Sequence, residues 1–240
     1  MSKFKLDAGQ KQTRRRIIEL SYKFGYAHIG SCLSAVDIID AIYRVKKKEE
    51  RFVLSGGHAA IALYAVLEEN HIMDPSDIHD LHIHPDRNAN IGIDVSTGSL
   101  GQGLPIALGM ALADRNKRVF CIITDGECAE GSIWESLRVI YENRVTNLII
   151  VVNANGWGAY DPISLPPLER RIKGFGLNMI KADGHDIKRL LSSVKAAGNH
   201  SPWVIFAKTN VEQFAFLKGQ DAHYYVMNEN DYKSALEELR

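Results

Sequence analysis

Apolar and polar positions along this chain follow two periods. Residues 7–24 predict a helix, with Ile17, Ile18, Leu20, Tyr22 and Phe24 partly on one side. "GYAHIGSCLS" interrupts with glycines at 25 and 30, and Ser34 followed by Asp37 reads as a capping box opening the helix "AVDIIDAIYRV". "RFVLS" predicts a short strand, and "GGHAAIALYAVLEE" a helix directly after it. Residues 71–97, rich in His, Asp, Asn and Pro, predict irregular structure. "GSLGQG" then precedes "LPIALGMALADR", a helix of small residues suited to close packing.

From there strands at 118–124, 147–153, 178–182 and 203–208 alternate with helices at 131–143, about 167–174, 186–197 and 229–239. The strands are unbroken apolar runs such as "NLIIVVN" and "WVIFAK", as expected when both faces of a sheet are covered. The pattern predicts an α/β fold: a doubly wound, mostly parallel sheet with helices on both faces. No repeat, low-complexity tract or linker divides residues 1–240, so one domain is expected.

Composition narrows this picture modestly. Hydrophobic residues make up 45% of the chain and charged residues 24%, a globular balance. Lys plus Arg and Asp plus Glu are 29 each, so no global field favours nucleic acid or an acidic membrane. The short basic run "KQTRRR" reads as a solvated helix face rather than an RNA contact. Cys32, Cys121 and Cys128 lack CxxC spacing, which suggests a reducing compartment. The start, "MSKFKLDAGQ", lacks a leader's apolar stretch, and no run approaches a membrane span, so a cytoplasmic location is expected.

The chemistry gathers at strand ends, where ligands bind in such sheets. Asp125 closes one strand, and Asn153 and Asn155 close the next, about thirty residues on. One β-α-β unit would bring Asp125 and Asn155 side by side. A carboxylate, an amide oxygen and a backbone carbonyl are hard ligands that suit Mg²⁺ or Ca²⁺ holding a phosphate. Gly126 and the amides after it would face the same place from a helix start. The plainer alternative makes Asp125 a helix cap and Asn155 a turn residue. His28, His58 and His84 each sit in a glycine- or proline-marked loop. "HIH" at 82–84 lacks a second ligand pair at zinc spacing, and "GSLGQG" is not a dinucleotide fingerprint.

"DGECAEGSIWES…NLIIVVNANGWGAYD" resembles the thiamine diphosphate motif, and more narrowly that of the transketolase family. "GYAHIGSCLSAVDIIDAIY", "RFVLSGGHAAIALYAVL", "IHPD" and "VSTGSLGQGLPIALGMALA" are similar to that family's segments, in its order. The chain looks most like the separately encoded amino-terminal subunits of split transketolases. The resemblance implies thiamine diphosphate and Mg²⁺ as cofactors. It implies that Asp125, Asn155 and the carbonyl of Trp157 hold the metal. Gly126, Glu127, Gly98, Leu100 and His58 would then meet the cofactor. His28, His84 and His223 would face the substrate's hydroxyls and oxyanion. Glu130 and Glu135 would lie near a subunit interface, in a hydrogen-bonded network with the partner's active site. The implied reaction moves a two-carbon ketol unit from a ketose to an aldehyde acceptor. The family's pyrimidine-binding domain, with the glutamate that activates the cofactor, would reside on a partner chain in an α2β2 heterotetramer.

Two departures from the family pattern carry expectations of their own. Thr124 stands where the motif usually has glycine, and its branched side chain could crowd the phosphates or shift the turn. After "AKT" the family continues with a glycine-rich stretch, whereas here it reads "NVEQFAFLKGQD". Glu212 would repel a substrate phosphate if it faced the pocket; the alternative is a surface excursion that never meets substrate. Other substrates (a sulfosugar, a deoxy sugar or a carrier-bound acyl group) stay open, as does a noncatalytic Mg-nucleotide or scaffold protein.

Overall fold

A computed structural model describes residues 5–198 and 201–240, so the first four residues of the stretch read for a leader lie outside it. Helix α1 (Ala8–Phe24) starts at Asp7, whose carboxylate accepts from Gln10 N while the Gln10 side chain accepts from Asp7 N. It ends at Gly25, in the left-handed region with φ 66.

Helix α2 (Ile29–Tyr43) is buried at every position and begins earlier than its sequence suggests. Its N-cap is His28, with φ 64, not Ser34. Ser34 lies inside the helix and donates to Ser31 O, while Asp37 faces Arg14 and His185. The local Ser-x-x-Asp pattern is real, but burial of the whole helix outranks it.

Strand β1 (Arg51–Leu54) leads through a short 3-10 turn into α3 (Ala60–Glu69). After the irregular stretch come α4 (Gly103–Ala113), β2 (Val119–Thr124), α5 (Gly131–Glu142) and β3 (Leu148–Ala154). Then follow α6 (Leu165–Lys173), β4 (Asn178–Asp183), α7 (Ile187–Ala196), β5 (Trp203–Lys208) and α8 (Glu229–Glu238). The five strands lie in the order β1-β2-β3-β5-β4, every pair parallel.

Side chains alternate across the sheet and give each face its own core. Phe120, Ile122, Ile149, Val151 and Ile205 pack with α1, α2, α3, α7 and α8. Cys121, Ile123, Ile150, Val152 and Val204 pack with α4, α5 and α6. Both β2 and β3 are buried throughout, which explains their unbroken apolar sequences. The edge strand β4 is half exposed, and its Lys181 pairs with Glu169 at 2.6 Å, a charge that discourages further strand pairing.

The basic run on α1 is only partly the solvated face it resembles. Arg15 pairs with Glu19 in the open, but Arg14 is 1% exposed and paired with Asp37, which is 2% exposed. Among the described residues no helix is long and apolar enough to cross a membrane.

Candidate active site

Three parallel strands deliver their carboxyl ends to one place. Register pairs Thr124 with Asn153, so the residues just beyond, Asp125 and Asn155, are neighbours as expected. Asp125 is 2% exposed; it accepts from Gly126 N at 3.1 Å and Gly156 N at 2.6 Å. Burial pushes its carboxyl up to about 7, against the pull of those amides. Asn155 Oδ1 accepts from Trp157 N at 2.9 Å, turning the chain so that the Trp157 carbonyl lies beside Gly126. A Cβ on Gly126 would stand 3.4 Å from Gly158 Cα and 3.8 Å from Trp157 O, so the two turns lie in contact. A buried carboxylate, an amide oxygen and a carbonyl, all hard donors, with no cationic side chain among the described residues paired to Asp125, fit a divalent ion that carries phosphate.

Glu127 lies beneath this turn rather than in it. It is fully buried and accepts from Ser55 Oγ, Gly101 N and Thr124 N. Its side chain therefore ties three loops together from below the turn. Thr124 packs within its own turn: its Oγ1 accepts from Glu127 N at 3.1 Å, and its methyl fills space that a Cβ on Gly56 would occupy.

The four histidines converge. Ring centroids lie 4.8 Å apart for His28 and His223, 5.0 Å for His58 and His223, and 5.4 Å for His28 and His58. His84, on the exposed segment, stands 6.4 Å from His28. Gly98 adjoins it, since a Cβ there would meet the His84 ring at 3.1 Å, and Leu100 follows half-buried. Gly57 abuts the Thr97 carbonyl, so the loops bearing His58 and Gly98 touch. Burial, then His223 and His84, lowers His28 to about 4. Burial, then the other three histidines, lowers His58 to about 3, and burial alone lowers His223. At neutral pH His28, His58 and His223 are neutral imidazoles, each with one N–H and one lone pair.

Helix α2 and the 219–223 turn are pressed together to hold this arrangement. His28 N donates to His223 O at 3.0 Å, and a Cβ on Gly30 would stand 2.9 Å from Ala222 O. Tyr224, which nothing in the sequence singles out, borders His223 at 4.9 Å and anchors its hydroxyl on Ala159 O. The sequence marks Asn153 only as a strand end. Its carbonyl accepts from Asp125 N, and its side chain links Thr209 to Ser34.

Glu130 and Glu135 do not join the cluster. Glu130 caps α5 in the open, and Glu135 is 71% exposed and pairs with Arg138. Nor does Glu212 face the pocket: its carboxylate accepts from Gly219 N at 2.7 Å and closes its own loop. That loop is no surface excursion either, because Val211, Phe214 and Leu217 are buried against the core.

The fold and site define a cofactor-binding α/β domain, with backbone amides and hard oxygen donors beside a wall of imidazoles. A family model described as "Transketolase, thiamine diphosphate binding domain" matches residues 17–239, and the chain belongs to that family. It is 34% identical over 229 residues to the transketolase of Pongo abelii, covering 83% of this chain and 36% of that protein. It is 38% identical over 216 residues to transketolase-like protein 2 of Bos taurus, covering 77% and 34%. The chain thus spans about a third of these relatives. By contrast, 28% identity to a subunit of the apulose-4-phosphate transketolase of Actinobacillus succinogenes extends over 98% of this chain and 96% of that protein. Among solved structures, the Campylobacter jejuni transketolase superposes with a TM-score of 0.81 at 24% identity, over 97% of this chain and 42% of that one. That likeness shows the fold.

Proposed function

We propose that this chain is the amino-terminal subunit of a two-component, thiamine-diphosphate-dependent transketolase that moves a ketol unit from a ketose to an aldehyde. The observation that carries the reading is the convergence of His28, His58, His84 and His223 beside the Asp125–Asn155 turn. A phosphate-and-metal site alone would serve a nucleotide; the imidazole wall beside it suits a polyhydroxylated substrate.

In this reading Asp125, Asn155 and the Trp157 carbonyl hold Mg²⁺. Gly126, Gly98 and Leu100 offer backbone to the cofactor, and His58 donates to its diphosphate. Bound thiamine diphosphate supplies the carbanion and electron sink for breaking a carbon–carbon bond. His28, His84 and His223 orient the ketose hydroxyls and steady charge on its oxygen. Because Glu212 is engaged with Gly219, it adds no repulsion, and a phosphorylated ketose is the donor we favour.

Two features support a partner chain carrying the pyrimidine-binding domain. A relative named as one subunit of a transketolase matches this chain over nearly the full length of both. Large apolar side chains also stand open on two helices, Ile106 and Leu112 of α4 (39% each) and Tyr141 of α5 (53%), and each would gain from burial against another protein. An α2β2 assembly in the cytoplasm completes the proposal.

The test mixes purified chain with a candidate partner and measures ketol transfer with thiamine diphosphate and Mg²⁺. Transfer is expected from the mixture and not from this chain alone. Full activity without a partner would overturn the two-component reading. Thermal stabilisation by Mg-ATP, but not by Mg-thiamine diphosphate, would favour the nucleotide alternative.

A further inference from the structure

We infer that Ser31 is a positioning residue that holds His223 in the tautomer with its proton on Nε2, so that this histidine meets substrate as a hydrogen-bond donor. Ser31 sits on the first turn of α2 and is 2% exposed. Its Oγ lies 3.1 Å from His223 Nδ1, its one side-chain partner among the described residues.

A hydroxyl brings one proton and two lone pairs, whereas Nδ1 of a neutral imidazole either donates or accepts. If Nδ1 carried the proton and donated to Ser31, the buried hydroxyl proton would have no acceptor, and orphaned buried donors are costly. If Ser31 donates, both groups are satisfied and the imidazole proton sits on Nε2. A doubly protonated ring would orphan the hydroxyl as well, and burial already disfavours it.

The serine is held in place by its own chain of bonds. Ser34 Oγ donates to Ser31 O at 2.9 Å, Asn153 Nδ2 donates to Ser34 Oγ at 2.9 Å, and Thr209 Oγ1 donates to Asn153 Oδ1. The same Asn153 receives Asp125 N at its carbonyl. The His223 tautomer is thereby anchored to the strand end that carries the proposed metal ligands. The groups that face the His223 ring from packed elements are His28 at 4.8 Å, His58 at 5.0 Å and Tyr224 at 4.9 Å. A donor at Nε2 favours oxygen that gains negative charge during reaction; a lone pair there would repel it. This last consequence rests on the ketol-transfer reading, but the tautomer does not.

Long-range ¹H–¹⁵N spectra of histidine-labelled chain, with His223 assigned by His223→Gln, test the inference between pH 7 and 8. The Nε2–H pattern is expected in the wild type, with a shift toward mixed tautomers in Ser31→Ala and recovery in Ser31→Thr. The Nδ1–H pattern in the wild type, or an unchanged tautomer in Ser31→Ala, would overturn it. The wild-type spectrum decides the tautomer even if a variant folds poorly. In the assembled enzyme Ser31→Ala should lower kcat by about tenfold with KM little changed; a shifted tautomer with unchanged kcat would end the positioning role. The spectra need no turnover. An inactive wild type with every partner therefore counts against the ketol-transfer reading, not against the tautomer.

Discussion

Two polar clusters hang on α2, one at its middle and one at its start. At the middle, Asp37 accepts from both terminal nitrogens of Arg14, from Gln10 Nε2 at 3.0 Å and from His185 Nδ1 at 2.8 Å. His185 Nε2 in turn accepts from Asn210 N at 3.0 Å, and Arg14 Nε donates to Gln213. At the start, four imidazoles crowd together; among the described residues a single side-chain hydrogen bond reaches them, from Ser31, and His28 Nδ1 is buried without a partner. The first cluster completes itself and the second leaves bonds to be made. Buried polar groups that satisfy one another rigidify a fold, whereas those left open mark a place for a ligand.

That contrast predicts opposite responses to substitution. The largest effect concerns the open side: Asp125→Ala should cut activity of the assembled enzyme by at least about 10³-fold, roughly 4 kcal/mol of barrier. The free chain's melting temperature should not fall, because a desolvated carboxylate is removed. Steady-state rates at limiting Mg²⁺, beside a melting curve, check both halves; unaltered activity would remove Asp125 from the metal site.

Asp37→Ala should do the reverse. Removing one partner of a buried pair strands the Arg14 charge and should cost about 3–5 kcal/mol in urea unfolding. Activity per folded molecule should persist, since Asp37 touches nothing in the histidine cluster.

Acid separates the clusters by pH. His58 lies below its ordinary 6.5, at about 3, so the unfolded chain binds more protons below 6.5 and the native state loses stability as pH falls. Burial alone would raise Asp37, but bonds from Arg14 and His185 hold it at about 2 against an ordinary 3.8. Its stabilisation is therefore intact above 3.8 and lost as pH falls toward 2. Between pH 7 and 5, wild type should lose about 1–2 kcal/mol more than His58→Asn. Taking the difference cancels Asp125, which is raised and works in the opposite sense. Parallel urea curves would show His58 to be ordinary.

The smallest effect is at Glu212. Glu212→Gln keeps an acceptor for Gly219 N, so kcat/KM for a phosphorylated ketose should change by less than about twofold. A large gain would mean that the carboxylate faces substrate after all.

Legibility follows the range of each interaction. The strands could be read because burial on both faces imposes apolar side chains at consecutive positions, as in "NLIIVVN". The pairing of Asp125 with Asn155 followed from one β-α-β unit. The start of α2 could not be read, because Asp37 answers to Arg14 on one helix and His185 on another turn, not to Ser34. Arg14 is indistinguishable from its neighbours in "RRR" until tertiary packing buries it. Glu127 sits two residues from Asp125, yet its partners Ser55 and Gly101 come from loops that only the fold brings near. His28, His58 and His84 were marked by their loops; with His223 the family pattern named them, but their closeness is a property of the fold.

Gly30 acts as a spacer set to zero thickness. Its missing methyl lets α2 lie flush against the Ala222 carbonyl, and that seam fixes how far His28 stands from His223. The gauge of the imidazole wall is thus machined into a residue that carries no side chain of its own. A single carbon added there would wedge the two imidazoles apart while leaving each of them chemically unaltered.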